Sequence, residues 1–316
     1  MTVALSVVVP ARDEATNLPE LLARLEESLR ASVASFEVVV VDDGSTDATR
    51  RVLEELSLSC SELRWVSLSR GFGKEAAIVA GLDMAQGDLV AIIDGDLQHP
   101  PEVLPDMLAL LEATGSDQVV GVRSRSGEGS VRRLLSRSYG AVLARFSDVE
   151  VPPGYGDFRV FTRRVRDAVL GLSETMRFNR GLFAWVGFPT EPYYFSDSPR
   201  TGARSRWKPG QLVGYGLDGV LSFSAKPLRF LMVIGTLLMA VFFLYVIVVI
   251  VRVLLFGVET PGYVTLIAAV FFVGGMQAFS AGMLGEYLGR IFLEVKGRPL
   301  YVTMETGGTQ PRREES

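Results

Sequence analysis

Residues 91–101 read AIIDGDLQHPP, three apolar positions followed by two aspartates around a glycine, a polar pair and two prolines. Apolar residues that lead directly into carboxylates are typical of a buried strand with acidic groups at its end. Asp94 and Asp96 are two positions apart, so both side chains point the same way on an extended backbone. Paired carboxylates suit Mg²⁺ or Mn²⁺, but an Asx turn ahead of Pro100 and Pro101 fits the stretch about as well.

Three other residues of this stretch bear on a metal or ligand site. Gly95 has no side chain and lets a bulky ligand approach the backbone, and Gln98 adds a neutral oxygen two residues after the second aspartate. His99 is the one histidine of the chain, which excludes a site built from several histidines. For His99 itself, contact with a metal or ligand and a plain surface position both stay open.

The surrounding chain alternates apolar strand patterns with amphipathic helix patterns. This alternation predicts an α/β fold with a mostly parallel sheet covered on both faces. The first helix is predicted to open at Asn17 with Pro19 in its first turn, and the second to be capped by Ser45 or Thr46. The predicted strands are 4–10, 36–45, 63–69, 88–94 and 117–123, and the predicted helices are 17–32, 45–57, 73–86, 100–113 and a stretch near 162–173.

Four of the strands end in acidic or small polar residues: PARDE, VVDDGST, LSRGFGK and IDGDLQH. Ligands of such sheets bind outside the carboxyl ends of the strands, so the pattern predicts a nucleotide pocket there. Asp42 and Asp43 suit hydrogen bonds from a nucleobase or a ribose; helix capping alone and the acidic pocket of a phospho-acceptor receiver domain are the alternatives. Lys74 either approaches a phosphate or is a solvated lysine at a helix start, because the loop before it lacks the Walker spacing.

Two long apolar segments, 228–251 and 262–285, raise the mean hydropathy to +0.27. Each is long enough to cross a hydrocarbon core of about 30 Å, and neither has a polar face. A pair of buried helices in a soluble protein is the alternative. The basic residues at the outer ends of the pair predict that both flanks, and with them the large domain, lie in the cytoplasm. These residues are Lys226, Arg229, Arg290, Lys296 and Arg298.

Charge and cysteine content narrow the class of protein further. The net charge is −4, yet residues 119–208 hold sixteen Lys and Arg against eight Asp and Glu. This basic belt predicts a surface for anionic lipid headgroups or phosphorylated ligands, whereas no aromatic-interleaved platform for nucleic acid is present. The single cysteine, Cys60, excludes an internal disulfide and agrees with a reducing compartment.

The predicted organisation has four parts. A cytoplasmic α/β domain covers 1–207, an amphipathic interfacial segment 208–226, the two apolar segments 227–290, and a cytoplasmic tail 291–316. The end of the tail, METGGTQPRREES, is predicted to be disordered.

Several of these stretches together resemble a known family. They are SVVVPARDEATNL, VVVVDDGSTDAT, GKEAAIVAGLDMAQGDLVAIIDGDLQHPPE, GDFRVFTR, RGLFAWVGF, RTGARSRW and GEYLGRIFLEVKGRPLY. The chain is similar over about residues 5–302 to the family 2 glycosyltransferases that act on polyisoprenyl phosphates. These include the dolichyl-phosphate mannose synthases and the bacterial undecaprenyl-phosphate glucosyltransferases of the GtrB type.

The resemblance implies a GT-A domain with a two-helix membrane anchor and assigns its residues in groups. The metal, Mg²⁺ or Mn²⁺, is implied to be held by Asp94, Asp96 and Gln98. Binding of the donor nucleotide is assigned to Pro10, Arg12, Glu14, Asp42 and Asp43, and to Arg200, Ser205, Arg206 and Trp207 in a loop that closes on the donor. From their own chemistry, Lys74, Asp94 and Gly95 are placed with these donor residues. The acceptor phosphate is assigned to Arg123, Arg132, Arg133 and Ser136.

Asp157, in the sequence GDFR, matches the residue assigned as the catalytic base in the family. A phosphate acceptor has a second pKa of about 6 and is already largely ionised at neutral pH. We therefore expect Asp157 to orient the acceptor or the sugar more than to take a proton. A plain turn residue is the alternative for this position.

The implied reaction is the inverting transfer of one hexose from a nucleotide sugar to a polyisoprenyl phosphate. The acceptor lies at the cytoplasmic face of the inner membrane, UDP-glucose is favoured over GDP-mannose, and relatives suggest a homotetramer. A processive polysaccharide synthase is disfavoured because RGLFAWVGF lacks the QxxRW element. A membrane protein that only binds a nucleotide sugar is disfavoured because Asp94, Asp96, Gln98 and Asp157 are all present.

Overall fold

The computed structural model describes residues 3–124, 152, 154–174, 177–196 and 262–308, together with separate helical positions between 235 and 256. The predicted interfacial segment 208–226 lies outside the described residues. So do seven predicted site residues: Arg132, Arg133, Ser136, Arg200, Ser205, Arg206 and Trp207.

From β1 to β5 the elements follow one another in the predicted alternating order. The strands are β1 (Leu5–Ala11), β2 (Phe36–Asp42), β3 (Leu63–Leu68), β4 (Leu89–Ile92), β5 (Gln118–Ser124), β6 (Tyr155–Thr162), β7 (Thr190–Ser196) and β8 (Thr303–Gly308). The helices are α1 (Leu18–Arg30), α2 (Thr49–Ser57), α3 (Lys74–Met84), α4 (Leu104–Thr114), α5 (Arg163–Leu170), α6 (Asn179–Trp185) and α7 (Tyr263–Val295). A turn of 3-10 helix, Pro101–Val103, precedes α4.

The eight strands form one sheet in the order β7-β5-β6-β4-β1-β2-β3-β8. The central pairs β4–β1, β1–β2 and β2–β3 are parallel, as is the pair β5–β7. Strand β6 is antiparallel to both β4 and β5, and β8 is antiparallel to β3. The prediction of a mostly parallel α/β sheet is therefore confirmed, with antiparallel pairings that the alternation did not indicate.

Both faces of the sheet are covered, because successive side chains of the buried strands point to opposite sides. On one face, Val7 and Val9 pack with apolar side chains of α1, α2 and α4. On the other face, Val8 packs with Ile78 and Leu82 of α3 and with residues of α5 and α6. The uninterrupted apolar runs in β1 and β2 are the result of burial on both faces.

Helix α2 begins at Thr49, later than the sequence pattern predicts. The predicted caps, Ser45 and Thr46, bind elsewhere: the Ser45 N–H donates to Asp42 at 2.9 Å, and the Thr46 N–H donates to Asp13 Oδ1 at 2.8 Å. Prediction of the cap is wrong because Ser45 Oγ accepts the Asp13 N–H at 2.9 Å, so both residues tie the loop after β2 to the loop after β1.

The segment after α7 returns to the sheet and forms β8, so the predicted disorder is wrong for residues 304–308. Glycine permits this pairing, because a Cβ on Gly307 would lie 2.4 Å from the Trp65 ring. Residues 309–316 lie outside the described residues.

Helix α7 is 33 residues long, and many of its described apolar side chains are exposed, among them Leu266, Phe272 and Phe292. Within the part of the chain that the structure describes, no helix is both long enough and apolar enough to cross a membrane.

Candidate active site

Polar side chains cluster in the structure at the predicted edge of the sheet, beyond the carboxyl ends of the parallel strands. Strand β6 pairs antiparallel with β4 in the register Ile92↔Arg159. Continuing this register by two residues sets Asp157 opposite Asp94, just beyond the carboxyl end of β4. The crevice outside this edge is where α/β sheets bind ligands.

Asp157 lies on β6 and is buried, with 7 % of its surface exposed. Lys74 Nζ donates to its Oδ2 at 2.8 Å. Arg180 donates from Nε to Oδ1 and from Nη2 to Oδ2, both at 3.1 Å. The alternative of a plain turn residue is therefore wrong, since this carboxylate is a strand residue held from two sides by cations.

The electrostatics of this group follow from its partners. Burial alone raises the pKa of Asp157, but the charges and hydrogen bonds of Lys74 and Arg180 outweigh it and hold the pKa well below the usual range. Burial lowers the pKa of Lys74, yet the carboxylates of Asp94 and Asp157 raise it above its ordinary value. Burial likewise opposes the charge of Arg180, and Asp157 raises its pKa. All three groups are therefore charged at neutral pH.

Lys74 joins Asp157 to the acidic stretch after β4. Its Nζ lies 2.6 Å from Asp94 Oδ1, and its side chain is 40 % exposed. The interpretation of Lys74 as a solvated lysine at a helix start does not account for its Nζ lying between two carboxylates. Of the two alternatives for Lys74, the structure supports a place in the site.

Asp94, Asp96 and His99 can hold a metal ion, because one ligand atom from each lies within 4.8 Å of the other two. His99 Nδ1 is 3.8 Å from Asp94 Oδ2 and, among the described residues, has no hydrogen-bond partner although it is buried. Two carboxylates and an unpaired ring nitrogen are a donor set that fits a divalent cation such as Mn²⁺.

His99 is not a surface residue, since its side chain is 17 % exposed. Its ring stacks on Phe158 with the centroids 4.9 Å apart and meets Phe195 edge-on at 6.1 Å. Burial lowers the pKa of His99, and Asp94 opposes this effect. The ring is thus fixed by packing with its nitrogen toward the carboxylates.

The Asx turn that competed with the metal site is also present. The Gln98 N–H donates to Asp96 Oδ1 at 3.1 Å, and Leu97 between them has a φ of 57°. A left-handed backbone is costly for leucine and is common at functional sites. The Gln98 side chain is exposed, and the Gln98 backbone carbonyl accepts a bond from Arg123 Nη2 at 3.2 Å. The turn therefore shapes the acidic stretch rather than replacing its chemistry.

The carboxylates of Asp42 and Asp43 accept hydrogen bonds from other groups of the protein. Asp42 is 2 % exposed and accepts bonds from the Ser45 N–H and, at 2.7 Å, from Ser67 Oγ. Asp43 accepts the Phe72 N–H at 2.6 Å and the Gly73 N–H at 2.9 Å. Together they hold the loops after β2 and β3, so structural support is an established part of their role.

The remaining predicted donor residues line the same edge. Arg12 is half-exposed and lies 3.8 Å from Asp43 Oδ2. Glu14 accepts a bond from Asn17 Nδ2 at 2.5 Å, and burial raises the pKa of its carboxyl. Pro10 is buried in β1, and its carbonyl lies 3.4 Å from where a Cβ on Gly95 would be. The structure thus brings every described residue of the prediction to one edge of the sheet.

Four residues near Asp157 were missed from the sequence: Glu75, Arg159, Arg180 and Asn179. Arg159 is buried, lies 4.1 Å over the Phe183 ring, and has its pKa lowered by burial to about 10. The signal that was available is a charged or amide residue at each of two helix starts, Lys74–Glu75 and Asn179–Arg180.

Two cavities lie away from this edge. They measure about 570 and 450 Å³ and are formed by α3, α5 and residues 299–307. The three arginines of the larger cavity are already paired: Arg64 bonds Glu37, Arg166 bonds Asp167, and Arg163 lies 3.5 Å from Asp88.

A mostly parallel sheet with carboxylates beyond the central strand β4 and cations beside them agrees with an α/β enzyme of the GT-A class. The chain belongs to the family described as Glycosyl transferase family 2, which its residues 6–170 match. Residues 226–291 match a second family, the GtrB C-terminal hairpin. The protein is therefore a glycosyltransferase.

Several curated relatives are similar over nearly the whole chain. Uncharacterized glycosyltransferase sll0501 of Synechocystis is 39 % identical over 98 % of both chains. Putative glycosyltransferase CsbB of Bacillus subtilis is 38 % identical over 95 % of this chain and 91 % of its own. Bactoprenol glucosyl transferase of Shigella phage SfII is 35 % identical over 97 % of this chain and 99 % of its own. Among solved structures, mannosyl-3-phosphoglycerate synthase from Rubrobacter xylanophilus is 18 % identical over 72 % of this chain and 74 % of its own, with a TM-score of 0.48.

Proposed function

We propose that this protein transfers glucose from UDP-glucose to a polyprenyl phosphate, with inversion at the anomeric carbon. The observation that carries the proposal is the row Asp94, Lys74, Asp157 and Arg180, in which carboxylates and cations alternate at the ligand-binding edge of the sheet. The glucose and the lipid phosphate are supported by the relative named bactoprenol glucosyl transferase and by the GtrB C-terminal hairpin.

The chain's own cations have a clear task in such a reaction. Both reactants carry phosphate groups, and negative charge develops on the diphosphate as it leaves. Lys74 and Arg180 are fixed by Asp157, so they are oriented before substrate binds. Preorganised charges of this kind stabilise a transition state without reorganising during the reaction.

Asp157 is a poor general base in this arrangement. Its pKa is depressed and both of its oxygens accept bonds from cations, so it has little tendency to take a proton. No proton has to be removed from the acceptor, because a phosphate monoester is largely ionised at neutral pH. We infer that Asp157 positions Lys74 and Arg180.

Asp94, Asp96 and His99 would hold the divalent cation, which when bound supplies charge for the nucleoside diphosphate. Because His99 adds a nitrogen ligand, we favour Mn²⁺ over Mg²⁺. Gln98 keeps its predicted role as a further oxygen ligand.

The acceptor and the closing donor loop remain predictions. Arg123, at the end of β5, contacts the acidic stretch through the Gln98 carbonyl and suits the lipid phosphate. The same role for Arg132, Arg133 and Ser136, and donor binding by Arg200, Ser205, Arg206 and Trp207, complete the proposal.

We further propose that residues 226–291 form a two-helix anchor in the cytoplasmic membrane and that the catalytic domain faces the cytoplasm. The match to a C-terminal hairpin family and the exposed apolar side chains of α7 support this proposal. An isoprenoid acceptor does not leave the bilayer, so its enzyme has to work at the membrane surface. A homotetramer is predicted from relatives.

A panel of nucleotide sugars tests the function. Purified full-length protein is incubated with undecaprenyl phosphate, Mn²⁺ and UDP-glucose, UDP-galactose or GDP-mannose, and the glycolipid is quantified. We expect product mainly from UDP-glucose, and an Asp96→Ala variant to lose about 100-fold or more in rate. Asp106→Ala is the matched control, because this exposed carboxylate on α4 bonds Tyr193 away from the site. Product from GDP-mannose alone would overturn the assigned donor, and full activity of Asp96→Ala would overturn the metal site.

A further inference from the structure

Two hydrogen bonds tie the start of α3 to the start of α6. The Asn179 backbone N–H donates to Glu75 Oε2 at 2.9 Å, and Asn179 Nδ2 donates back to the Glu75 carbonyl at 3.2 Å. Asn179 is 1 % exposed. The two residues are 104 positions apart in the chain, so this is a tertiary contact rather than local capping.

These two hydrogen bonds are made by residues adjacent in sequence to the two cations of the site. Lys74 precedes Glu75 on α3, and Arg180 follows Asn179 on α6. Lys74 and Arg180 reach the same carboxylate, Asp157, from these two helix starts. The distance between the helix starts therefore limits how the two side chains can place their cations on Asp157.

The position of Glu75 disfavours the ionised form of its carboxyl group. Burial and the negative charge of Asp157 raise its pKa to about 7, while Lys74 and Arg180 oppose the shift. Arg159 and Arg177 are the other charged groups near enough to Glu75 to interact with it electrostatically. A half-buried carboxyl next to another carboxylate is disfavoured unless it has a specific task.

We infer that Glu75 and Asn179 are positioning residues for catalysis: their two hydrogen bonds hold Lys74 and Arg180 at the spacing that Asp157 and the phosphates require. This inference rests on the proposed function. Neither residue needs to touch substrate, and a displacement of about 1 Å at the reacting groups can cost about 100-fold in rate.

The test compares Glu75→Ala with Glu75→Gln in the full-length protein, under the transfer assay described above. Alanine removes the acceptor for the Asn179 N–H, whereas the glutamine carbonyl keeps it. We expect Glu75→Ala to lower kcat at least 10-fold with the KM for UDP-glucose changed less than about 3-fold, and Glu75→Gln to keep at least half of kcat.

Glu37→Ala is the control for loss of a carboxylate that accepts a distant backbone N–H, as Glu75 does. Glu37 lies at the other end of β2 and accepts bonds from Ser6 at 2.6 Å and from the Gln86 N–H at 2.7 Å. We expect this variant to lower Tm and to leave kcat within about 2-fold of the unmodified protein.

Asn179→Ala keeps the 2.9 Å bond from the backbone N–H of residue 179 to the Glu75 carboxylate and removes only the longer 3.2 Å bond, so its kcat should fall between those of Glu75→Gln and Glu75→Ala. Unchanged kcat in Glu75→Ala, or equal loss in Glu75→Gln and Glu75→Ala, would overturn the inference. Absence of glycolipid from the unmodified protein would instead overturn the proposed function, so the two failures are distinguishable.

Discussion

Asp157 illustrates at the scale of one residue how neighbours determine a role. A carboxylate at a strand end is available as a base only while its oxygens are free and its pKa is near the working pH. Here Lys74 and Arg180 occupy both oxygens. The group that best fits the family's catalytic base by sequence is therefore a counter-ion by geometry.

Replacing Asp157 by Asn should lower kcat about 100-fold or more, because the amide does not hold two cations together. The carboxylate has a depressed pKa, so it stays ionised as pH falls until well below 4 and contributes no titration between pH 5.5 and 9. The pH profile of Asp157→Asn should therefore keep its rising limb at a lower rate, with any shift of that limb toward lower pH, because loss of the Asp157 charge lowers the pKa of Glu75. Initial rates measured across this range check the prediction.

Glu75→Gln is the control for that profile, because Glu75 is the neighbouring carboxyl with a pKa of about 7. A rise in rate with pH that is lost in Asp157→Asn but kept in Glu75→Gln would show that Asp157 acts as a base.

At the scale of elements, the parallel core was predictable and the added strands were not. The strands β1 to β5 are short, mostly apolar runs that alternate with helical patterns, and this alternation predicts buried parallel strands. The placement of β6 between β4 and β5 depends on tertiary pairing, and so does the convergence of Lys74 and Arg180 on Asp157. A local sequence pattern does not show which distant residues come into contact, which is why Arg180, Glu75 and Asn179 were missed.

Strand β8 was missed for a different reason. TMETGG has few apolar residues and two glycines, which disfavour a strand on propensity alone. The strand forms because Gly307 lets the Trp65 ring lie against its backbone, and because Glu305 pairs with Arg50 of α2. Here tertiary contact overrides local preference.

Gly307→Val should therefore displace β8. The new side chain meets the Trp65 ring, where overpacking costs about 2 kcal/mol and a fall in Tm of about 5 °C. We expect a red shift of tryptophan fluorescence as Trp65 becomes exposed. Thr306→Val on the neighbouring, exposed position is the control and should leave Tm within about 1 °C. Equal Tm values for the two variants would contradict the role of Gly307.

At the scale of the whole molecule, the proposed membrane anchor and the basic belt predict different kinds of attachment. The full chain should float with liposomes of phosphatidylethanolamine and phosphatidylglycerol and remain bound after washing with carbonate at high pH. Apolar insertion resists such a wash, whereas attraction between basic side chains and headgroups is screened by salt.

Flotation through gradients with and without 1 M NaCl separates these two modes. Liposomes of neutral lipid are the control, since they retain an inserted chain and release one held by charge. Complete release by salt would contradict the proposed anchor.

The pairing of β8 with β3 has a topological consequence. The chain leaves the sheet after β7, at Ser196, and rejoins the same sheet at Thr303. A path whose two ends are fixed in one rigid sheet begins and finishes on one side of any barrier it meets. Whatever the intervening segment does at a bilayer, its number of crossings has even parity.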